Sequence, residues 1–235
     1  MSAQRNFDPA ELQRFAALAP RWWDPDGESR PLHDLNPVRV DYIAARCRLS
    51  GARVADVGCG GGLLSEALAA RAAQVTGLDL GGEVIEVARL HLLESGLRVD
   101  YRQEAAETHA AAQPEHYDVV ACMEMLEHVP DPGSVVRACA SMLRPGGQAF
   151  FSTLNRTPAA FAAAIVGAEY LLRLLPQGTH DWSKFIRPSE LARALRDAGL
   201  VVRDIRGLRY DPIMRRAWLV QDTSVNYLVH AGKPQ

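Results

Sequence analysis

Short runs rich in β-branched and apolar residues alternate along this chain with stretches whose apolar positions have helical spacing. The last run, DTSVNYLVHAGK, has no helix before it, so we predict that it inserts as an antiparallel strand. The other runs predict six strands, at Arg53–Val57, Gln74–Asp79, Asp100–Gln103, Tyr117–Met123, Gln148–Thr153 and Leu200–Leu208. Strands that alternate with helices predict one α/β domain, built on a doubly wound, mostly parallel sheet of seven strands with one antiparallel strand near the C-terminus.

Helical patterns also precede the first strand. In DPAELQRFAALAPRWW, Asp8 can cap a helix whose first position is Pro9. A connector containing proline and glycine follows, and a second helix is predicted from about Val38 to Arg48. We expect residues 1–50 to form helices that cover a substrate site.

Net charge and cysteine spacing bear on which partners and which cellular compartment to expect. The 235 residues carry a net charge of -2, so there is no basic excess to attract nucleic acid. The four cysteines show no CxxC spacing and no leader pattern precedes them, which predicts neither a disulfide framework nor a zinc site. We therefore predict a cytoplasmic protein with no nucleic-acid partner.

A nearly apolar segment, residues 157–176, follows the fifth strand and is interrupted by Glu169 and Arg173. Only 12 uncharged residues precede Glu169, whereas a membrane-spanning helix needs about 20. We predict an apolar helical insertion over residues 157–187. Its helix either packs in the core, covers the ligand site, binds an apolar chain or lies in a membrane interface.

The stretch VADVGCGGGLLSEALA has glycine at positions 58, 60, 61 and 62, between a predicted strand and a predicted helix. Glycines let the backbone approach a ligand closely, and the helix start presents unpaired N–H groups to it. A dinucleotide fingerprint would need glycine where Leu63 stands, which disfavours a nicotinamide-dependent oxidoreductase. Asp79 ends the second strand, where a carboxylate can accept hydrogen bonds from ribose hydroxyls. Together these features indicate an adenosine-type ligand.

Longer motifs carry a resemblance. VADVGCGGG, VTGLD, YRQEAAE, YDVVACMEMLEHVPDP and LRPGGQAFFST stand in the order and spacing of the motifs of class I S-adenosylmethionine-dependent methyltransferases. RWWDPDGESRPLHDLNPVR, ARLHLLESGL, GAEYLLRLLPQGTHDWSKFI and VNYLVHA resemble the ubiquinone biosynthesis O-methyltransferase family over nearly the whole chain. The resemblance implies a Rossmann-like fold and S-adenosylmethionine as the methyl donor.

The resemblance also implies four residues that contact S-adenosylmethionine: Arg39, Gly58, Asp79 and Met123. Arg39 can pair with the donor's carboxylate through two parallel hydrogen bonds. Met123 can place a soft, apolar side chain beside the donor. The alternatives are a surface arginine and a core methionine.

The segment CMEMLEHVPDP places Glu124, Glu127 and His128 on one face if it turns helically. His128, with Glu124 as a second catalytic residue, can act as a general base on a phenol. Alternatively, all three side chains bind a divalent ion such as Mg²⁺, which would lower the hydroxyl pKa. A third interpretation is an acidic helix start beside a structural histidine.

The implied activity is methyl transfer to a hydroxyl of 2-polyprenyl-6-hydroxyphenol and of 3-demethylubiquinol. Trp22 and Trp23 then either close over the acceptor ring or anchor the first helix, and His180 either faces the acceptor or is structural. Expected partners are the polyprenylated acceptor, membrane lipid at the inner face through residues 157–176, and other ubiquinone-pathway enzymes. Alternatives are a methyltransferase for another small-molecule hydroxyl and a non-catalytic lipid-binding assembly protein.

Overall fold

The fold is built on one mixed β-sheet. A computed structural model of the protein describes residues 6–162 and 181–235. Its strands are β1 (Arg53–Val57), β2 (Gln74–Asp79), β3 (Val99–Gln103), β4 (Tyr117–Met123), β5 (Leu143–Leu154), β6 (Val201–Asp211), β7 (Arg216–Val220) and β8 (Asn226–Gly232). They lie side by side in the order β3-β2-β1-β4-β5-β8-β6-β7.

Strands β1 to β5 pair in parallel, as the alternating pattern predicted. The closing strand β8 inserts antiparallel between β5 and β6, which also confirms the prediction for that segment. Within the described residues the sheet has eight strands rather than the seven expected, because β7 forms a hairpin with β6 at the outer edge. β7 has only five residues and none of them is buried, so no alternation of buried and exposed positions identifies it in the sequence.

Helices cover both faces of this sheet. They are α1 (Pro9–Leu18), α2 (Arg30–Ala44), α3 (Leu63–Ala69), α4 (Gly82–Ser95), α5 (Ala106–Ala112), α6 (Pro132–Met142), the short α7 (Pro158–Ala160) and α8 (Pro188–Asp197). One core layer includes side chains of α5, α6 and α8, and the other includes side chains of α2 and α3. Burial of these apolar faces supplies most of the stabilisation of the fold.

The two N-terminal helices were predicted with different success. Asp8 caps α1 as expected, with its Oδ1 accepting a hydrogen bond from the backbone N–H of Ala10 at 3.0 Å. The second helix was predicted from Val38, but α2 begins eight residues earlier and includes Pro37. Proline lacks an N–H group and is unfavourable inside a helix. The buried residues of α2 outweigh that cost through tertiary packing, which the local sequence does not reveal.

Most of the predicted insertion lies outside the described residues. Residues 163–180 include Glu169, Arg173 and His180, so their predicted helix and membrane contact stay predictions. On either side of them lie α7 and a 3-10 turn, Trp182–Lys184. Within residues 6–162 and 181–235, no helix is both long and apolar enough to cross a membrane.

Candidate active site

A cavity of about 490 Å³ lies at the carboxyl ends of the parallel strands, beneath α1 and α2. Ligands of open α/β sheets bind at this edge. The cavity is lined by all seven residues predicted to contact the donor, to act in catalysis or to bind a metal: Arg39, Gly58, Asp79, Met123, Glu124, Glu127 and His128. The fold therefore brings both predicted groups, the donor contacts and the catalytic candidates, to one place.

The glycine loop joins β1 to α3, and three of its glycines have positive φ: Gly58 (74°), Gly60 (53°) and Gly62 (93°). This left-handed conformation is unfavourable for residues with a Cβ. A Cβ on Gly60 or Gly61 would also lie 2.4 Å from ring atoms of Trp22. The bare loop therefore accommodates the tryptophan ring as well as the turn.

Trp22 and Trp23 anchor the N-terminal residues to this loop. Trp22 is 5% exposed and lines the cavity. The Trp23 indole N–H donates to the carbonyl of Gly61 at 2.9 Å, and its ring stacks on His91 with centroids 3.4 Å apart. Anchoring is thus one function of both side chains, and contact of either with an acceptor ring stays a prediction.

Two carboxylates lie next to the loop: Asp79, which is partly exposed, and Asp56, which is buried. Asp79 accepts hydrogen bonds from the N–H groups of Gly60 at 2.9 Å and Gly81 at 2.8 Å. Asp56 on β1 accepts from the Ser65 hydroxyl at 2.6 Å. Burial raises the pKa of both carboxyl groups, that of Asp56 to about 6. Asp56 lines the cavity and was not singled out; an acidic residue inside the apolar strand VADV is the signal that identifies it.

Arg39 and Met123 face the cavity from opposite elements, α2 and the end of β4. Arg39 is 4% exposed, and its Nη2 lies 3.1 Å from a carboxylate oxygen of Glu124. Its Nε has no hydrogen-bond partner among the described residues. A buried guanidinium with an unsatisfied N–H fits the recognition of a carboxylate.

Glu124 occupies a strained position directly after β4, with a φ of 53°. Its backbone N–H donates to the carbonyl of Ser152 at 3.0 Å, and the Ser152 hydroxyl donates to its carboxylate at 2.6 Å. The amide of Asn226 donates to the same carboxylate at 3.1 Å. These contacts tie β4 to β5 and β8 and hold a conformation that costs a non-glycine residue about 1–3 kcal/mol.

Glu127 and His128 lie in a 3-10 turn, Leu126–His128, rather than on the helical face considered from the sequence. The buried carboxylate of Glu127 accepts from the hydroxyl of Thr153 at 2.8 Å. Burial, and then the charge of Glu124, raise the Glu127 pKa. Among residues 6–162 and 181–235, no three histidine, cysteine or acidic side chains are grouped closely enough to hold a metal ion.

A carboxylate that the sequence reading missed belongs to Glu11 of α1, which is 6% exposed. Its Oε2 lies 3.1 Å from Nδ1 of His128, and its Oε1 lies 3.1 Å from Nζ of Lys184. The only hint in the sequence is an acidic residue within the amphipathic pattern of α1.

The Glu11–His128 pair shifts both pKa values. Burial alone would lower the His128 pKa, but the hydrogen bond to Glu11 and the charges of Glu127, Glu11 and Glu124 raise it overall. Burial alone would raise the Glu11 pKa, but His128 and Lys184 outweigh it and hold that pKa at about 2. Each member of the pair therefore stabilises the charged form of the other.

Comparisons with known proteins give the site its context. A family profile described as "Methyltransferase domain" matches residues 32–205. The ubiquinone biosynthesis O-methyltransferase of Xanthomonas euvesicatoria pv. vesicatoria (strain 85-10) is 61% identical over 97% of this chain and 96% of its own. The ubiquinone biosynthesis O-methyltransferase of Stutzerimonas stutzeri (strain A1501) is 60% identical over 97% of this chain and 98% of its own.

Solved structures agree on the fold. Magnesium protoporphyrin IX methyltransferase from Synechocystis PCC 6803 with bound SAH superposes with a TM-score of 0.62 at 18% identity, over 99% of this chain and 90% of that one. A SAM-dependent methyltransferase from Methanosarcina mazei superposes with a TM-score of 0.63 at 18% identity, over 82% of this chain and 97% of that one. With about 60% identity over almost the full length of its relatives, this chain belongs to the ubiquinone biosynthesis O-methyltransferase family and is an S-adenosylmethionine-dependent O-methyltransferase.

Proposed function

We propose that this enzyme methylates a hydroxyl of 2-polyprenyl-6-hydroxyphenol and of 3-demethylubiquinol. The observation that carries the proposal is one cavity that joins the glycine loop and Asp79 to His128. The names of relatives about 60% identical to this chain support the choice of acceptor.

Four residues that line the cavity support S-adenosylmethionine binding at its donor end. Arg39 would pair with the donor's carboxylate, Asp79 would accept from its ribose hydroxyls, and Gly58 and Met123 would border it. When bound, the donor supplies a methyl group already activated on a sulfonium. The contribution of these residues is placement, since holding nucleophile, methyl and sulfur in line accounts for much of the rate enhancement.

His128 is our candidate for the residue that accepts the phenol proton. A proton on Nδ1, held toward Glu11, leaves the lone pair on Nε2 for proton transfer. The raised pKa of His128 makes it a better match to a phenol of pKa about 10 than an ordinary imidazole would be. Glu124, which lines the same cavity, stays our second catalytic candidate.

The acceptor end of the cavity is apolar. Phe15 and Leu18 of α1 line it from above, and Leu154, Leu208 and Val225 line it near the ends of β5, β6 and β8. Such a lining suits a ring with an isoprenoid chain, because burying its carbons is favourable in proportion to area. The proposal extends to peripheral membrane contact through residues 157–176 and to contact with other ubiquinone-pathway enzymes. Absence of co-sedimentation with anionic liposomes would count against the membrane contact.

The metal alternative uses Glu124, Glu127 and His128. As placed, these side chains are directed at different partners: Asn226 and Ser152, Thr153, and Glu11, respectively. Mg²⁺ requires near-ideal octahedral geometry and prefers oxygen ligands. The three residues do not fit one ion in this arrangement, so the general-base mechanism is our proposal.

A panel of acceptors tests both parts of this function. Short-chain 2-prenyl-6-hydroxyphenol, a short-chain 3-demethylubiquinol and unprenylated catechol would each be offered with S-adenosylmethionine, with EDTA and with added Mg²⁺. We expect both prenylated acceptors to react faster than catechol, with rates unchanged by EDTA. Preference for catechol would contradict the proposed acceptor, and loss in EDTA restored by Mg²⁺ would replace the base mechanism with a metal.

A further inference from the structure

We propose that Glu11 is a positioning residue for methyl transfer, which fixes the ring orientation and the tautomer of His128. This inference rests on the proposed role of His128 as the base. It gives α1 a function in the reaction, whereas the sequence predicted only that this helix covers the substrate site. Glu11 and His128 are 117 residues apart in the chain, and the fold brings them into contact.

The hydrogen bond between them is well placed for this task. Glu11 Oε2 accepts from Nδ1 of His128 at 3.1 Å, and both side chains are largely buried, with 8% and 13% of their surface exposed. A buried carboxylate on Nδ1 favours the tautomer with its proton there, which leaves Nε2 able to accept a proton. Because Nδ1 is engaged by Glu11, Nε2 is the nitrogen that we assign to proton transfer.

Neighbouring contacts hold both members of the pair. Lys184 Nζ lies 3.1 Å from the other oxygen of Glu11, so the carboxylate is fixed at both ends. Phe15, one turn further along α1, meets the His128 ring edge-on with centroids 5.0 Å apart. Two residues of one helix thus restrict the imidazole, one by a hydrogen bond and one by packing.

Positioning predicts a specific kinetic signature. Replacing Glu11 should lower kcat, because fewer molecules hold His128 in the productive orientation, while KM for the acceptor and affinity for S-adenosylhomocysteine change little. A correctly placed base contributes about 10²–10⁴-fold, so Glu11→Ala should lose about tenfold or more. Glu11→Gln keeps a hydrogen-bond acceptor on the side chain and should recover part of that loss.

The decisive experiment is a double-mutant cycle in the full-length enzyme with His128→Ala, Glu11→Ala and the double variant. If Glu11 acts through His128, its replacement lowers kcat in the wild-type background and adds little once His128 is gone. An equal loss in both backgrounds would overturn the positioning role while leaving His128 as the base. Normal turnover by His128→Ala would instead refute the base itself.

Two further measurements separate positioning from a general loss of structure. Arg14→Ala removes another charge beside Glu11, on an exposed side chain of the same helix, and should leave kcat within about twofold. Nitrogen-15 NMR of His128 should report the Nδ1–H tautomer in the neutral ring of the wild type and a shift toward Nε2–H in Glu11→Ala. An unchanged tautomer in that variant would contradict the inference even if the variant were unstable.

Discussion

Replacing Gly60 with alanine tests the most constrained contact of the site. The new methyl group meets two separate obstacles. The backbone φ of 53° is unfavourable for alanine, and the added Cβ would lie 2.4 Å from the Trp22 ring, against 3.4–4 Å for an ordinary contact. Because the ring cannot stay where it is, we expect Trp22 to leave the glycine loop.

The structure allows each obstacle to be given a magnitude. A left-handed backbone costs a non-glycine residue about 1–2 kcal/mol. Displacing Trp22 exposes an aromatic side chain that buries about 150–250 Å², which corresponds to at most about 4–6 kcal/mol at 25 cal/mol per Å². The displacement of Trp22 is the larger contribution. Because Gly60 and Trp22 both line the cavity, the displaced ring also disturbs the donor site. Gly60→Ala should therefore weaken S-adenosylhomocysteine binding by more than about tenfold, equivalent to 1.4 kcal/mol.

Two other glycines separate these contributions. Gly199 has a φ of +79° with nothing within 4 Å of an added Cβ, so Gly199→Ala carries the backbone cost alone. Gly61 has no positive φ but has the same 2.4 Å approach to Trp22, so Gly61→Ala carries the contact alone. Calorimetric titration with S-adenosylhomocysteine and tryptophan fluorescence, to which Trp22 contributes with three other tryptophans, would be measured for all three. Wild-type affinity and fluorescence in Gly61→Ala would refute the reasoning.

The remaining predictions concern charged groups of the same cavity. His128→Ala should lower kcat by about 10²–10⁴-fold with little change in S-adenosylhomocysteine affinity, and normal turnover would remove it from the mechanism. Because its pKa is raised and the neutral ring is the base, kcat should rise with pH through a midpoint above 6.5; a midpoint below 6.5 would contradict the Glu11 contact. Asp79→Ala should weaken donor binding by about 10–100-fold in calorimetry, since it removes hydrogen bonds to a charged group. Because the pKa of Glu11 is lowered in the folded protein, its carboxylate stabilises the fold above pH 4.5, and this contribution is lost as pH falls toward 2. The difference in free energy of unfolding between wild type and Glu11→Gln, measured by urea unfolding, should therefore shrink over that range.

Local patterns were sufficient for the centre of the fold and for the position of the glycine loop and Asp79. Strands β1, β2 and β4 have the predicted boundaries because each is a buried run bounded by turn residues. The glycine loop and Asp79 follow from the strand–loop–helix context, and parallel pairing brings their ends to one edge of the sheet. These features depend on neighbours within about 20 residues.

Features that depend on tertiary contacts were beyond the sequence. The start of α2 is decided by packing that outweighs its prolines. Glu11 was missed because its partners, His128 and Lys184, lie 117 and 173 residues away. The one-face arrangement of Glu124, Glu127 and His128 was not realised, because Ser152, Thr153 and Asn226 on neighbouring strands accommodate the two carboxylates separately.

Transfer of a labelled methyl group from S-adenosylmethionine to short-chain 2-prenyl-6-hydroxyphenol tests the central claim most directly. The purified wild-type enzyme and His128→Ala would be compared at saturating donor, after calorimetry has established that both bind S-adenosylhomocysteine. We predict label in the methoxy product of the wild type and a loss of at least about a hundredfold in the variant. No labelled product from a wild-type enzyme that binds the donor would contradict the proposed acceptor, and equal rates for the two proteins would contradict the proposed mechanism.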